Sequence, residues 1–202
     1  MPAKLKKVGY GFWFQWVLLT TLGFMVSLHW IEIGTRPELG SLEGAVGGAI
    51  VGVAQCLVLR QQISYFWGWS IVCVAGWSLL GFLGVGALGW VAPRDMFDIF
   101  LRAVWGLIEG MKVGIVIGGL QWLVLRGQVP NAWRWIVASM LGWSIGLGVG
   151  WTVGGILRMR TGLFLGEVLG LTVTWVVMAG VTGVCLIELL QRDDRKTLFR
   201  LR

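Results

Sequence analysis

Two stretches decide the fold: EGAVGGAIVGVAQCLVLRQQ at 43–62 and EGMKVGIVIGGLQWLVLRGQ at 109–128. Each opens on Glu-Gly, continues as an apolar run with glycine recurring at every fourth position, and ends with a glutamine five residues before an arginine. Offset by 66 residues, the match extends without a gap from 43–81 onto 109–147, with fifteen identities over 39 positions. Trp67/Trp133, Trp69/Trp135, Gly76/Gly142, Trp77/Trp143 and Ser78/Ser144 carry its second half. Trp16, Gly23 and Phe24 extend the pattern towards the start of the chain; Gly166-Glu167, Ala179 and Gly183 extend it faintly towards the end. The unit is a two-helix hairpin, an aromatic-headed helix followed by a glycine-faced one, present three times at about 11–60, 66–126 and 133–192.

Composition places these hairpins in a membrane. Of 202 residues, 17 are Lys or Arg and 10 Asp or Glu, about half the roughly 25% charge of a soluble domain. Hydrophobic residues make up 56% and mean hydropathy is +0.78, beyond what a water-facing surface tolerates. Soluble enzymes and disordered linkers are excluded. Spans of about 20 residues fit six runs: 11–33, 42–59, 66–92, 103–125, 133–157 and 163–190. The expected fold is therefore all-α and polytopic. Six transmembrane helices form one domain over 1–202, a pseudo-three-fold bundle with short tails at 1–10 and 191–202. The first run follows Lys4, Lys6 and Lys7 but lacks a small-x-small cleavage site, so it is expected as an uncleaved span.

Charge sorting sets the orientation. Lys4, Lys6, Lys7, Arg60, Arg126, Arg134, Arg192, Arg195, Lys196, Arg200 and Arg202 fall on one side. The other side has Arg36, Arg94, Arg102, Arg158 and Arg160, with Lys112 inside a span. Cations near span ends are retained in the cytoplasm, so both termini are expected there. The net charge of +7 then suits anionic headgroups rather than nucleic acid, with Arg60 and Arg126 snorkelling to lipid phosphates. Trp13, Trp16, Trp67, Trp69, Trp133 and Trp135 are expected in the inner interfacial belt and Trp30, Trp90 and Trp105 in the outer one. Trp77, Trp143 and Trp175 fall at mid-span as packing residues.

The glycines at spacing four (Gly44, Gly48 and Gly52; Gly110, Gly114 and Gly118; Gly142, Gly146 and Gly150) are expected to let helix backbones approach closely, the main route to association in lipid. Oligomer contacts or the close approach of a lipid or pigment are alternative uses. Glu43, Glu109 and Glu167 each fall where a glycine-faced helix is expected to begin at the outer side. There they serve as caps on the positive helix end or, with the hairpins arranged about an axis, as an ion-attracting ring. Lys112 lies one turn after Glu109 and neutralises it. Gln55 and Gln121 sit about 7 Å inside the boundary and need partners on a neighbouring helix. His29 and Glu32, three apart, read as an interface pair or a proton or pigment site. Between 93 and 102, Phe97, Phe100 and Leu101 share one face and Asp95, Asp98 and Arg102 another, which reads as a helix on the outer surface or as an extension of the fourth span.

Cys56, Cys73 and Cys185 all lie in apolar runs and His29 is the only histidine, so no disulfide framework and no metal site are expected. No catalytic motif is present, and the protein is expected not to be an enzyme. VAQCLVLRQQ at 53–62 and IGGLQWLVLRGQVPNAWRWIVASMLGWSIG at 117–146 resemble the repeated Q-W-L-V-L-R and W-x-W-x-x-x-S-x-x-G-W blocks of a group of multi-pass membrane proteins found in cyanobacteria and Chloroflexi. Cys56 stands where that pattern has Trp. The resemblance implies a phototrophic-type host, with a thylakoid or plasma-membrane location beside photosynthetic complexes, and no catalysis. The leading expectation is an accessory, assembly or scaffold subunit that contacts the lipid bilayer and other membrane subunits or further copies of itself. Alternatives are a small channel or carrier, or a binder of pigment, quinone or lipid. No cofactor is expected beyond bound lipid, with chlorophyll or carotenoid as the pigment alternative.

Overall fold

The computed structural model describes residues 8–36, 38–94 and 96–200, with side chains as far as Gln191. Among these, six α-helices follow in order: α1 (Tyr10–Ser27), α2 (Ser41–Leu59), α3 (Trp67–Phe82), α4 (Ile99–Leu125), α5 (Arg134–Thr161) and α6 (Leu165–Arg200). Four of them, α2, α4, α5 and α6 as far as Gln191, are long and apolar enough to cross a membrane. At 1.5 Å per residue, the 18 residues of α1 and 16 of α3 span roughly 27 and 24 Å. Each helix backbone packs on its two chain neighbours, and α6 packs back on α1. The six helices therefore form a closed ring, its interior filled by side chains.

Glycine makes three of the joints close. Gly44, Gly48 and Gly52 face Trp77, Cys73 and Ser70 of α3, and Gly110, Gly114 and Gly118 face Trp143, Met140 and Ser139 of α5. Gly142, Gly146 and Gly150 face Met178, Thr174 and Gly170 of α6. A Cβ on Gly48 would stand 2.7 Å from the Cys73 carbonyl oxygen, so a side chain there requires the backbones to part.

The C-terminal ends of α1 and α3 differ from the helices read off the sequence. The first and third apolar runs were expected to stay helical to 33 and 92, but α1 ends at Ser27 and α3 at Phe82. Past α3, Gly84 and Gly86 take φ of +71° and +83°, a backbone that reverses the chain and is open to glycine without strain. The returning segment buries Ala87, Leu88, Gly89, Trp90, Val91 and Ala92, with a single 3-10 turn at Leu88–Trp90. It pairs with the exit of α1: Gly34 N–H donates to the Trp90 carbonyl and Ala92 N–H to the Gly34 carbonyl. The two segments together plug the mouth of the ring at the end away from the start of α1. Their apolar residues are buried by the plug, not by lipid.

The stretch 93–102 is not a separate surface helix. Asp98 caps α4 by accepting the Leu101 N–H at 3.0 Å, so Phe100, Leu101 and Arg102 belong to the first turn of that helix. Phe97 lies just before the cap, and Asp95 falls outside the described residues. Beyond α5, Gly162 at φ +71° donates its N–H to the Arg158 carbonyl at 2.8 Å, a left-handed stop that turns the chain into α6. Of the cations used for orientation, Lys4, Lys6, Lys7 and Arg202 lie outside the described residues, as do the side chains of Arg192, Arg195, Lys196 and Arg200.

Candidate functional site

Trp16 lies in the second turn of α1, and Trp69 and Trp135 lie in the first turns of α3 and α5. They were expected at the interface, and instead they are buried, because each points to the interior of the ring. Their ring centroids stand 6.0, 6.1 and 5.3 Å apart, all edge-to-face, the arrangement that sets the positive edge of one indole against the negative face of the next. Trp67 and Trp133, two positions earlier, point outward and are 63% and 59% exposed, as a belt requires. Two turns deeper, Trp77, Trp143 and Trp175 form a second layer with centroids 4.9–5.9 Å apart. Phe24 stacks on Trp175 at 5.5 Å. Trp90, expected in the outer belt, is fully buried here: it descends from the plug to within 5.0 Å of Trp77 and 5.4 Å of Trp175. Aromatic rings thus fill the interior from the first triad to the plug.

A buried polar network satisfies the indoles of the first triad. Trp69 Nε1 donates to Gln55 Oε1 at 2.8 Å and Trp135 Nε1 to Gln121 Oε1 at 3.0 Å, each across fourteen residues. Gln55 Nε2 reaches Thr20 Oγ1 at 3.3 Å, and Gln121 Nε2 reaches Cys73 Sγ at 3.3 Å. Each glutamine therefore ties its own helix to the preceding and the following aromatic-headed helix. The third corner is built differently: Trp16 Nε1 donates to Thr182 Oγ1 at 3.2 Å. Threonine lacks the second, amide arm, and Ser139, the counterpart of Thr20 and Cys73 four residues after its tryptophan, keeps a buried hydroxyl without a partner. Both residues line a small chamber between the two aromatic layers, about the size of one water. The sequence reading located the glutamines but missed Thr20, Cys73, Ser139 and Thr182; for the first three the signal was the shared offset of four from Trp16, Trp69 and Trp135, and for Thr182 there was none.

This asymmetry has a measurable consequence. Ser139→Ala removes a buried hydroxyl with no partner, so thermal unfolding in detergent is expected to show neutral or increased stability, up to about 1 kcal/mol. Gln121→Leu strands the Trp135 N–H and is expected to cost about 1–3 kcal/mol in the same assay.

The three glutamates do not share one role. Glu43 Oε2 accepts the Gly40 N–H at 3.0 Å, a cap in the first turn of α2. Glu109 was expected at a helix start, but it lies in the third turn of α4, because α4 begins at Ile99 rather than after 102. It is buried against Lys112 Nζ at 3.0 Å and Arg36 Nη2 at 2.5 Å. Arg36 belongs to the segment after α1, so the pair pins that segment to α4. Glu167, in the first turn of α6, faces Arg102 and Arg158. None of the three lines the axial chamber.

Arg102, read from the sequence as an outer-side cation, is 2% exposed. All five of its N–H donors are used. Nη1 donates to Glu167 Oε2 at 3.1 Å and the Trp151 carbonyl at 3.2 Å; Nη2 to Glu167 Oε1 at 2.9 Å and the Pro93 carbonyl at 2.8 Å; Nε to the Met96 carbonyl at 2.6 Å. One guanidinium thus joins the end of the plug to α5 and α6. Trp151 and Trp175 add indole bonds to the Val91 and Gly89 carbonyls, both at 3.0 Å, and Trp90 bonds Ser27 Oγ at 2.7 Å. His29 and Glu32 are both exposed and are not brought together, because α1 ends before either of them and the helical i, i+3 spacing no longer applies. In the same segment after α1, the Thr35 backbone N–H and then its side chain hold the Glu38 carboxyl below its ordinary range.

Fold and site define a class: a helical integral membrane protein, by four long apolar helices, organised around a buried tryptophan cluster. Comparison with protein-family models, with curated proteins and with solved structures found no match for the chain. Among the described residues, no cluster of three His, Cys, Asp or Glu is arranged to hold a metal ion.

Proposed function

We propose that the chain is a six-span membrane protein built from three hairpins about a pseudo-three-fold axis. Its termini face the cytoplasm, and it serves as a non-enzymatic accessory, assembly or scaffold subunit of a larger membrane complex. The three-hairpin reading is supported by Trp16, Trp69 and Trp135, one from each hairpin, meeting edge-to-face, and by two tryptophan-to-glutamine bonds that recur at the same separation. The ring order supports α1 and α3 as spans beside the four longer helices. The resemblance to proteins of cyanobacteria and Chloroflexi points to a phototrophic membrane as the setting.

The single observation that carries the role is the filled interior. Its polar side chains, Ser139 apart, bind one another, and its aromatic rings border a chamber about the size of one water, so the buried chemistry holds helices in place. What the molecule offers to others is its outer flank, where Phe14, Leu18, Leu22, Ile115 and Ile145 are among the exposed apolar residues. A channel or carrier working through the axis would need the glutamates in a shared cavity. Instead Glu43, Glu109 and Glu167 each hold a separate local partner, which favours the scaffold reading.

Purification from gently solubilised native membranes tests it. The protein is expected to elute with stoichiometric membrane partners, well above the 22.3 kDa of one chain; a monomeric, partner-free particle contradicts the role.

A further inference from the structure

Three grooves open on the lipid-facing flank at the end of the bundle where α1 begins. One lies between α1 and α6, about 440 Å³, with Glu188 at its lip. A second, about 270 Å³, lies between α5 and α6, and there Arg134 Nη2 meets Glu188 Oε2 at 3.0 Å. Both mouths therefore carry a carboxylate, and in the second an internal ion pair closes the charge. The third groove, about 420 Å³ between α3 and α4, is different. Its walls are Ile71 and Val72 from α3 and Leu123 and Val124 from α4, and Arg126 stands at its mouth beside Tyr65.

The difference is local in sequence. Aligned by the 66-residue offset, Gly68 of α3 stands where α5 has Arg134, so the α3–α4 groove has no second cation there, and the Tyr65 ring packs on Gly68 instead. Arg126 has no carboxylate partner among the described residues; its guanidinium lies over the Trp122 ring, 5.4 Å from the centroid. A membrane groove with apolar walls, under a guanidinium that has no carboxylate partner among the described residues, matches a molecule that is apolar along its length and anionic at its head.

We propose that the α3–α4 groove binds one anionic phospholipid, its acyl chain along Ile71, Val72, Leu123 and Val124 and its phosphate on Arg126. This rests on the membrane reading above. Binding there also fills the joint where α3 and α4 pack less closely than α2 does on α3 or α4 on α5.

The test is native mass spectrometry of the full chain released from nanodiscs of phosphatidylcholine and phosphatidylglycerol in equal amounts. The wild type is expected to retain one phosphatidylglycerol per chain in preference to phosphatidylcholine. Arg126→Gln is expected to lower that preference about five-fold and Val72→Phe, which fills the groove, to lower it as well. Arg160→Gln removes the same charge from the exposed last turn of α5, at the other end of the bundle, and is expected to leave the preference unchanged. Equal retention of both lipids, an undiminished preference in Arg126→Gln, or an equal loss in Arg160→Gln overturns the site. Should Val72→Phe fail to fold, the two arginine variants decide the question alone. A wild type that enters no nanodisc contradicts the membrane reading itself and is thereby told apart from failure of the site.

Discussion

Gly110→Ala is expected to unfold or severely destabilise the protein, while Gly119→Ala, nine residues along the same helix, is expected to leave it unharmed. A Cβ on Gly110 would collide with the Trp143 carbonyl and the Ser144 Cα. These are backbone atoms of α5, which no side-chain rotation can move aside. The helices must separate, and that separation is felt at Gly106 and Gly114, which meet the same neighbour. Overpacking of this kind costs about 1–3 kcal/mol where side chains can adjust, and the rigid contact puts Gly110→Ala at the upper end or beyond. A Cβ on Gly119 meets nothing within 4 Å, so only helix propensity acts there, favouring alanine by up to about 1 kcal/mol. Thermal unfolding of both variants in one detergent separates steric contact from glycine content. Similar melting temperatures for the two would contradict the close α4–α5 joint.

The second large effect is expected at the Arg102–Glu167 pair. Both side chains are 2% exposed, so removing one breaks a buried pair at a cost of about 3–5 kcal/mol; Glu167 retains Arg158 at 3.5 Å, whereas Arg102 retains only carbonyls. Arg102→Ala is expected to lose more than Glu167→Gln, because it also strands the Pro93, Met96 and Trp151 carbonyls. Arg102→Lys is expected to rescue little, since an ammonium cannot reproduce five donors in a planar fork. Replacing both partners with apolar residues, Arg102→Met with Glu167→Leu, is expected to recover part of the loss. Additive single and double effects in a double-mutant cycle would contradict a coupled pair.

Much of the architecture was legible in the sequence where one signal had one cause. Helix α2 was expected over 42–59 and spans Ser41–Leu59, because charged or turn residues bound its apolar run at both ends. The ends of α1 and α3 were not legible for the opposite reason. Ile31, Ile33, Leu88 and Trp90 are as apolar as a span, and hydropathy cannot tell burial under a plug from burial in lipid. The tryptophans carry the same ambiguity: Trp67 and Trp69 are two residues apart, yet one is 63% exposed and the other fully buried. Which face of α3 turns inward is decided by packing, although the fourteen-residue spacing to Gln55 and Gln121 held the answer. Sorting charges by side treated Arg102 as a boundary marker. Its true partner, Glu167, lies 65 residues away, and only the folded ring brings α4 and α6 together at that point. The recurrence of Glu43, Glu109 and Glu167 suggested one shared role, but α4 begins at Ile99 and places Glu109 in a helix body, whereas Glu43 and Glu167 stand in the first turns of α2 and α6.

Six crossings in one ring, including the two helices shorter than a standard span, are tested by labelling single engineered cysteines with a membrane-impermeant maleimide in sealed vesicles. The native thiols do not interfere, since Cys56 and Cys73 are buried and Cys185 is half-buried within α6. Cysteines replacing Tyr10, Gln61 and Asn131 should be labelled from one face, and those replacing Glu38, Leu83 and Thr161 only from the other. Labelling of Tyr10→Cys and Glu38→Cys from the same side would remove α1 as a span, and labelling of Gln61→Cys and Leu83→Cys from the same side would remove α3; either result contradicts the six-span ring.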